Sequence, residues 1–334
     1  MTDSVLAVDG GNSKTDVALV GPDGGLLAAV RGPTTSHQAV GLEAGIARLV
    51  GLVEEVARQA GLDPTARPIS TIGVHAIAGA DFTADVRMLE RALAGARLSA
   101  RAVVVNDCIG ALWAGATDGY GIALVCGAGI NAAAVAPDGR VARFDGIGDL
   151  SGDWGGGNAV AIAGLGAAVR ARDGRGPRTE LERTIPAHFG LTRPAALTRA
   201  MYDKRIRMDR LGELSPVVFA TARAGDPVAR AIIDRLADEL ATMAIALATR
   251  LGIKRLPLDI VLAGGVFRAD DKAFFERLDA RIRPDLPAAT LIRLDVPPVA
   301  GSAREGLKQL AQGGPDAIAA ARERVRRELR EWRP

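Results

Sequence analysis

The sequence predicts an α/β protein of two duplicated domains with a ligand cleft between them. Three observations carry that prediction. Apolar runs of strand length alternate with longer segments whose apolar residues recur every three or four positions, the pattern of α/β layering. A unit of strand, glycine loop, strand, Pro-Asp-Gly turn and strand occurs twice, from Val5 and again from Gly121. Four glycine-rich elements stand at the ends of apolar runs, the place where open α/β folds take their ligands.

In chain order, Val5–Val8 and Thr15–Val20 read as strands, and Gly21–Gly25 as a turn before the strand Leu26–Val30. Leu42, Ile46, Leu49, Val53 and Val56 mark a helix by their spacing. Ile69–Ile77 reads as a strand, Arg87–Ala96 as a helix, Ala102–Val105 as a strand and Ile109–Ala114 as a helix. The unit then returns as Gly121–Val125, Gly127-Ala128-Gly129, Asn131–Ala136, Pro137-Asp138-Gly139 and Val141–Phe144. Either the domain is duplicated or two β-meanders are alike by chance, since short repeats alone do not separate the two. The second half is mostly helical, with Asn158–Arg172 and the long Asp226–Leu251. Strands are expected at Leu258–Leu262 and Leu291–Val296, and the final helices from Gly301. At 334 residues the chain suits two cores rather than one. The domains are expected to be 1–117, joined by a returning C-terminal helix at about 305–334, and 118–304, with the joint at Thr117-Asp118-Gly119.

Charge narrows the partners. The net charge of +3 is too small for a nucleic-acid footprint. The arginines of the last helix, Arg322 to Arg333, alternate with Glu323, Glu328 and Glu331, which reads as a solvated face. Cys108 and Cys126 lack metal-ligand spacing and suit a reducing, cytoplasmic setting. The start of the chain has no basic n-region, and no apolar run reaches membrane-spanning length, so neither a signal peptide nor a membrane partner is expected.

The chemistry centres on Asp9-Gly10-Gly11-Asn12-Ser13-Lys14-Thr15. A carboxylate leaving a buried strand, then glycines and hydroxyl side chains, suits phosphate and Mg²⁺: the glycines let backbone N–H groups approach the anion, and Asp9 can hold the cation. The same residues are also ordinary turn formers. The spacing is not that of a Walker A loop. Gly127-Ala128-Gly129, Gly155-Gly156-Gly157 and Ala263-Gly264-Gly265 continue the theme. Asp107, directly after a strand and before a helix, could take a proton from an acceptor hydroxyl or could cap the helix. Asp153 stands in a glycine-rich setting that points to a bound ligand.

This order of elements resembles the sugar kinase/actin/heat-shock-protein ATPase superfamily. Within it the chain resembles the BadF/BadG/BcrA/BcrD ATPase family in its N-acetylglucosamine kinase branch. The likeness runs through Val8–Thr15, Ala78-Gly79-Ala80-Asp81, Asn106-Asp107, Gly127–Asn131, Gly152–Gly157, Gly225-Asp226-Pro227, Leu262–Gly265 and Pro297–Gly301. It implies two actin/hexokinase (ribonuclease H-like) domains, ATP and Mg²⁺ as cofactors, a small-molecule sugar acceptor and a homodimer. By the same resemblance Asp9, Gly11, Asn12, Ser13, Lys14 and Thr15 would hold phosphates, with Asp9 on the metal. Gly127, Ala128 and Gly129 would hold phosphate, and Gly264 with Gly265 would pack the adenosine. Asp107 would be the base, and Ser36, His37, Gln38 and Asp153 would bind the sugar. The sequence departs from the family pattern in three places. Ala128 and Ile130 stand where the family carries Thr and Ser, Trp154 where it carries Glu, and Thr34–Gln38 lacks the usual Asn.

Two other functions compete with the kinase. A non-catalytic sugar or nucleotide sensor fits the loss of hydroxyls at 128 and 130. An ATPase activator of a reductase or dehydratase needs cysteine ligands for an iron–sulfur cluster, and the Cys-Ala-Ala-Gly run of that branch is absent. The repressor-kinase branch carries a cysteine-rich zinc motif that is also missing.

Overall fold

Two mixed five-stranded sheets carry the fold. The computed structural model describes residues 3–334. In the first sheet β1 (Val5–Gly10), β2 (Lys14–Val20), β3 (Leu26–Pro33), β4 (Ser70–Ile77) and β5 (Ser99–Asn106) lie in the order β3-β2-β1-β4-β5. The second contains β6 (Gly121–Cys126), β7 (Ile130–Val135), β8 (Val141–Arg143), β9 (Leu258–Ala263) and β10 (Ala289–Arg293), in the order β8-β7-β6-β9-β10. Both sheets have the same pairings. The first strand is antiparallel to the second and parallel to the fourth, and the second is antiparallel to the third. The fourth and fifth are parallel. The repeat visible in the sequence is a repeated topology.

The strands are apolar because both of their faces are covered. Val5, Leu6, Ala7 and Val8 are all fully buried, as expected of strands inside parallel layers. Leu6 and Val8 face the core under α2 (Leu42–Gln59), where Leu49, Val53 and Val56 close it. Val5 and Ala7 face α11 (Val299–Leu310) and α12 (Pro315–Glu331) on the other side. Between these come the short α1 (His37–Val40), α3 (Thr83–Ala96) and α4 (Asp107–Gly115). The second sheet is covered by α5 (Gly156–Arg172), α6 (Leu181–Ala187), α7 (Pro194–Tyr202), α8 (Ser215–Arg223), α9 (Pro227–Leu251) and α10 (Lys272–Ile282). The length of α9 follows from its ends. Asp226 caps it by accepting from the Ala229 N–H at 2.8 Å, Pro227 opens it, and Gly252 ends it in the left-handed region.

Several boundaries differ from the sequence reading, β3 running on to Pro33 and β5 starting at Ser99 among them. The helix expected from Arg87 begins at Thr83, because the Asp85 carboxylate accepts the Phe82 N–H and closes the first turn. The last strand ends at Arg293, earlier than the expected Val296, as the chain turns toward Pro297 and Pro298. Among the described residues no helix is long and apolar enough to cross a membrane.

The two lobes meet where α4 crosses α11. α4 buries Cys108, Ile109, Ala111 and Leu112 against the second sheet, while α11 buries Val299, Ala300 and Ala303 against the first. Backbone touches backbone at the crossing: a β-carbon on Gly301 would lie 1.9 Å from the Gly110 carbonyl oxygen. The buried Arg304 then donates to the carbonyls of Trp113, Ala114 and Ala116 at 2.7, 3.2 and 3.2 Å. Those are the unpaired carbonyls at the end of α4. Burial lowers the Arg304 guanidinium to about 10, still charged at neutral pH.

Candidate active site

The β1–β2 hairpin builds the first wall of the site. Gly11 donates its N–H to the Lys14 carbonyl at 2.9 Å, which closes the turn. Asn12 and Ser13 are exposed at its tip, and their N–H groups have no partner among the described residues. Asp9 is 8% exposed and its carboxylate receives no hydrogen bond from the described residues. Burial is the main force pushing its pKa up to about 8, and the negative charges of Asp16 and Asp107 add to it. Asp16 is different, since Arg31 holds it with two bonds of 2.6 and 2.9 Å and Lys14 with one of 2.9 Å. A buried carboxylate without such a partner, at the strand end that leads into this loop, is a fit for a cation that brings its own anionic ligands. Among the described residues no three His, Cys, Asp or Glu side chains cluster as a metal cage. Mg²⁺ is commonly held this way, by one or two carboxylates plus substrate phosphates.

Thr15 lies elsewhere than expected. It is fully buried, and its hydroxyl is 3.0 Å from both the Thr35 hydroxyl and the Thr35 N–H. It does not reach the loop tip; it pins the 34–36 segment to the hairpin, helped by a 2.8 Å bond from the Thr34 hydroxyl to the Gly11 carbonyl. Lys14 likewise spends its ammonium on Asp16. The pinned segment presents Ser36 and His37, whose Oγ and Nδ1 are buried without partners. Buried polar atoms without partners are rare enough to require an explanation, and a hydroxylated ligand beside them supplies one.

Gln38 leads to a network that the sequence reading did not include. Its amide donates to Asp81 at 3.0 Å, and the Asn106 amide donates to the same carboxylate at 2.9 Å. Arg143, from the second lobe, stands 3.8 Å from Asp81 and donates to the Ala80 carbonyl at 3.0 Å. Asp81 and Asn106 belonged to segments that carried the family likeness, whereas nothing local marked Arg143. Asn106 is the N-cap of α4, its side-chain oxygen accepting the Cys108 N–H at 3.0 Å. The cap function proposed for Asp107 therefore rests on its neighbour. Asp107, the first residue of the helix, also accepts from Cys108 at 3.0 Å but remains partly open. Burial first, then the Asp81 charge, pushes its pKa up to about 6, the range of a working general base.

The second lobe supplies the opposite wall. The Gly127–Gly129 loop is fixed by bonds from the N–H groups of Gly157 and Asn158 to the carbonyls of Gly127 and Ala128, at 2.8 and 2.9 Å. Ala128 and Gly129 are exposed, and their N–H groups have no partner among the described residues. Ile130 is buried against the core, so a hydroxyl at that position would have to be paired inside. Gly264 has φ +108, and a β-carbon there would lie 2.3 Å from the Cys126 carbonyl, so only glycine fits. Beside it a cavity of about 630 Å³ opens between Gly127-Ala128, Asn158, Ser215–Phe219 and Gly265–Ala269, of the size that holds a nucleoside.

Asp153 is not drawn into this group. Its carboxylate accepts from Ser151 and its N–H donates to the Gly148 carbonyl. No hydrogen bond or ion pair joins it to Asp107 or to Ser36–Gln38 among the described residues. Trp154 turns away to the helical face, where the Arg235 guanidinium stacks on its ring at 3.8 Å.

Comparison with known proteins agrees with this architecture. A Dictyostelium discoideum N-acetyl-D-glucosamine kinase is 26% identical over 89% of this chain and 96% of its own length. A Clostridium acetobutylicum N-acetylmuramic acid/N-acetylglucosamine kinase is 28% identical over 78% of this chain and 85% of its own. A solved Chromobacterium violaceum structure, provisionally described as an N-acetylglucosamine kinase, covers 92% of this chain and 99% of its own with a TM-score of 0.65 at 24% identity. The family model of the BadF/BadG/BcrA/BcrD ATPases matches residues 6–303. With both sheets, both glycine loops and the Asp9 and Asp107 strand ends inside that match, the chain belongs to the BadF/BadG/BcrA/BcrD ATPase family.

Proposed function

We propose that the protein is an ATP-dependent kinase that phosphorylates a hydroxyl of a small amino sugar, glucosamine or N-acetylglucosamine. The observation that carries this reading is Asp107. It is a recessed carboxylate at the start of α4, with its pKa raised to about 6, and it lies close enough to Asp9 for its charge to be felt there. The amino-sugar kinases among its relatives support the acceptor class.

In this reading adenosine fills the cavity beside Gly265, and the phosphates lie between the N–H groups of Asn12 and Ser13 and those of Ala128 and Gly129. Those backbone donors stand in for the side-chain hydroxyls that Ala128 and Ile130 do not provide. Asp9 would hold Mg²⁺, which neutralises charge on the transferring phosphates. Ser36, His37 and Gln38 face the acceptor. Asp107 accepts the hydroxyl proton as the sugar oxygen bonds to the γ-phosphorus, the bond from that phosphorus to the β–γ bridging oxygen breaks, and ADP leaves. Asp81, held by Gln38, Asn106 and Arg143, keeps the Asp107 carboxylate basic by its negative charge.

A coupled assay tests this directly. ADP is expected to appear with ATP, Mg²⁺ and an amino sugar, and not with ATP and Mg²⁺ alone. Nucleotide binding without sugar-dependent ADP release would favour the sensor. The active form of the base is the ionised one, so kcat/KM is expected to climb with pH and to level above a midpoint near 6. A flat profile between pH 5 and 8 would remove Asp107 as the base.

Residues 1–117 with 305–334 then form one lobe and 118–304 the other, joined at Thr117–Gly119. Water must be kept from the transferring group, so acceptor and nucleotide together are expected to close the cleft and bring Asp153 toward the sugar. Small-angle scattering should show a smaller radius of gyration in the ternary state. An unchanged profile would count against closure.

A further inference from the structure

A second cavity, also about 630 Å³, opens from the phosphate hairpin and shares only Gly265 and Arg268 with the adenosine-sized one. Its lining includes Lys14, Arg31, Arg268, Arg293, Arg330 and Arg333. The acids at its wall are Asp9 and Asp295, with Asp16 buried behind Arg31, so positive charge is in excess. Two of the arginines, Arg330 in the last turn of α12 and Arg333 just after it, lie beyond residue 303 where the family match stops.

These cations are held in place. Arg31 is clamped by its two bonds to Asp16 and lies 5.4 Å from the Trp332 ring centre. Arg293 donates to the Phe267 carbonyl at 2.7 Å and stacks on Phe275 at 4.5 Å. Arg330 pairs with Asp295 at 2.7 Å, an acid that Arg326 also holds at 2.9 Å. Arg333 donates one nitrogen to the carbonyls of Arg330 and Trp332, at 2.8 and 3.0 Å. Arg268 makes no ion pair among the described residues. A guanidinium carries five N–H donors, and most of these remain unspent. Arginine forks fixed by aromatic and carbonyl neighbours suit phosphate oxygens, which they bind in pairs with little loss of side-chain freedom.

We propose that this cavity is a binding site for a phosphate-bearing small anion, a condensed phosphate or a phosphate ester, taken independently of the adenosine. A single monovalent anion would leave both volume and charge unfilled. The ligand would draw on both lobes, through Lys14, Arg31 and the end of α12 on one side and Arg268 and Arg293 on the other, and so favour the closed cleft. This needs only the charge and shape of the cavity, and stands whether or not the sugar-kinase reading does.

The test is calorimetry on the full chain at low salt, without ATP or sugar. The probes are tripolyphosphate, inorganic phosphate and N-acetylglucosamine 6-phosphate, and the tightest binder names the source. Binding is expected to weaken at least tenfold in R293A/R333A and with rising NaCl, while affinity for a non-hydrolysable ATP analogue stays within threefold. If the double variant melts early, R333E, altered only at an exposed residue beyond the end of α12, is expected to show the same selective loss. Three results would overturn the site: no probe binds, the variants bind as wild type, or the ATP analogue loses affinity by the same factor. The last would make the cavity part of the nucleotide's own phosphate site.

Discussion

Asp107→Asn is expected to lower turnover by about a hundred- to ten-thousandfold and to leave the melting temperature unchanged or raise it. The two readouts separate a base from a helix cap. Asn106 supplies the cap through its bond to the Cys108 N–H, so α4 keeps its first turn in the variant. An amide also fills the space of the carboxylate while lacking the basic oxygen. For an acid whose folded pKa is raised, the folded state holds the proton more tightly than the unfolded chain. Ionising it at neutral pH therefore costs stability. With a rise from 3.8 to about 6, that cost is at most about 3 kcal/mol, and the amide removes it. Affinity for the ATP analogue should stay near wild type, because the proposed reading puts Asp107 on the acceptor side. A variant with near wild-type turnover would leave the chain without its base.

Asp9→Asn is expected to move activity and stability in opposite directions, with the larger effect of the two variants on stability. Its pKa rises from 3.8 to about 8, so below pH 3.8 neither state pays for ionisation. As pH climbs toward 8 the unfolded chain gains by releasing a proton that the folded state keeps. The wild-type protein without ligands should thus lose stability steadily across that range, by about 4 kcal/mol at pH 7 as an upper figure. The asparagine variant should lack that slope and melt several degrees higher at pH 7. Turnover should fall by about a thousandfold or more, since several kcal/mol of charge neutralisation at the phosphates depends on this carboxylate. Melting curves from pH 5 to 8, with and without Mg²⁺-nucleotide, read both effects. An identical pH slope in variant and wild type would contradict the unpaired, buried state of Asp9.

What was legible in the sequence is what chain-local chemistry writes. The two meanders announced themselves because Pro-Asp-Gly turns, and glycines before a returning strand, are needed locally wherever they occur. Gly264 could be read for the same reason, its conformation excluding other residues. The Asp81 network could not, since Gln38, Asn106 and Arg143 are far apart in sequence and meet only through the fold. Thr15 misled because a hydroxyl beside a glycine loop looks like a phosphate donor. Strand alternation turned it inward, and its partner was Thr35 on the neighbouring segment. The basic last helix was read as a solvated face, which fits Arg324 with its partners Asp23 and Glu328. Arg330 and Arg333 escape that reading because the helix ends at a cavity, and periodicity does not report where a helix ends in space.

The crossing of Gly110 and Gly301 has a mechanical consequence. Where two backbones bear directly on each other, no side chain stands between them whose rotamer must be reset when the lobes turn. Such a joint behaves as a plain bearing of low internal friction, with the Arg304 guanidinium fastening one shaft to the other. In the proposed closure the contacts that must break and re-form are then at the rim, where Arg143 meets the Ala80 carbonyl and Asp81.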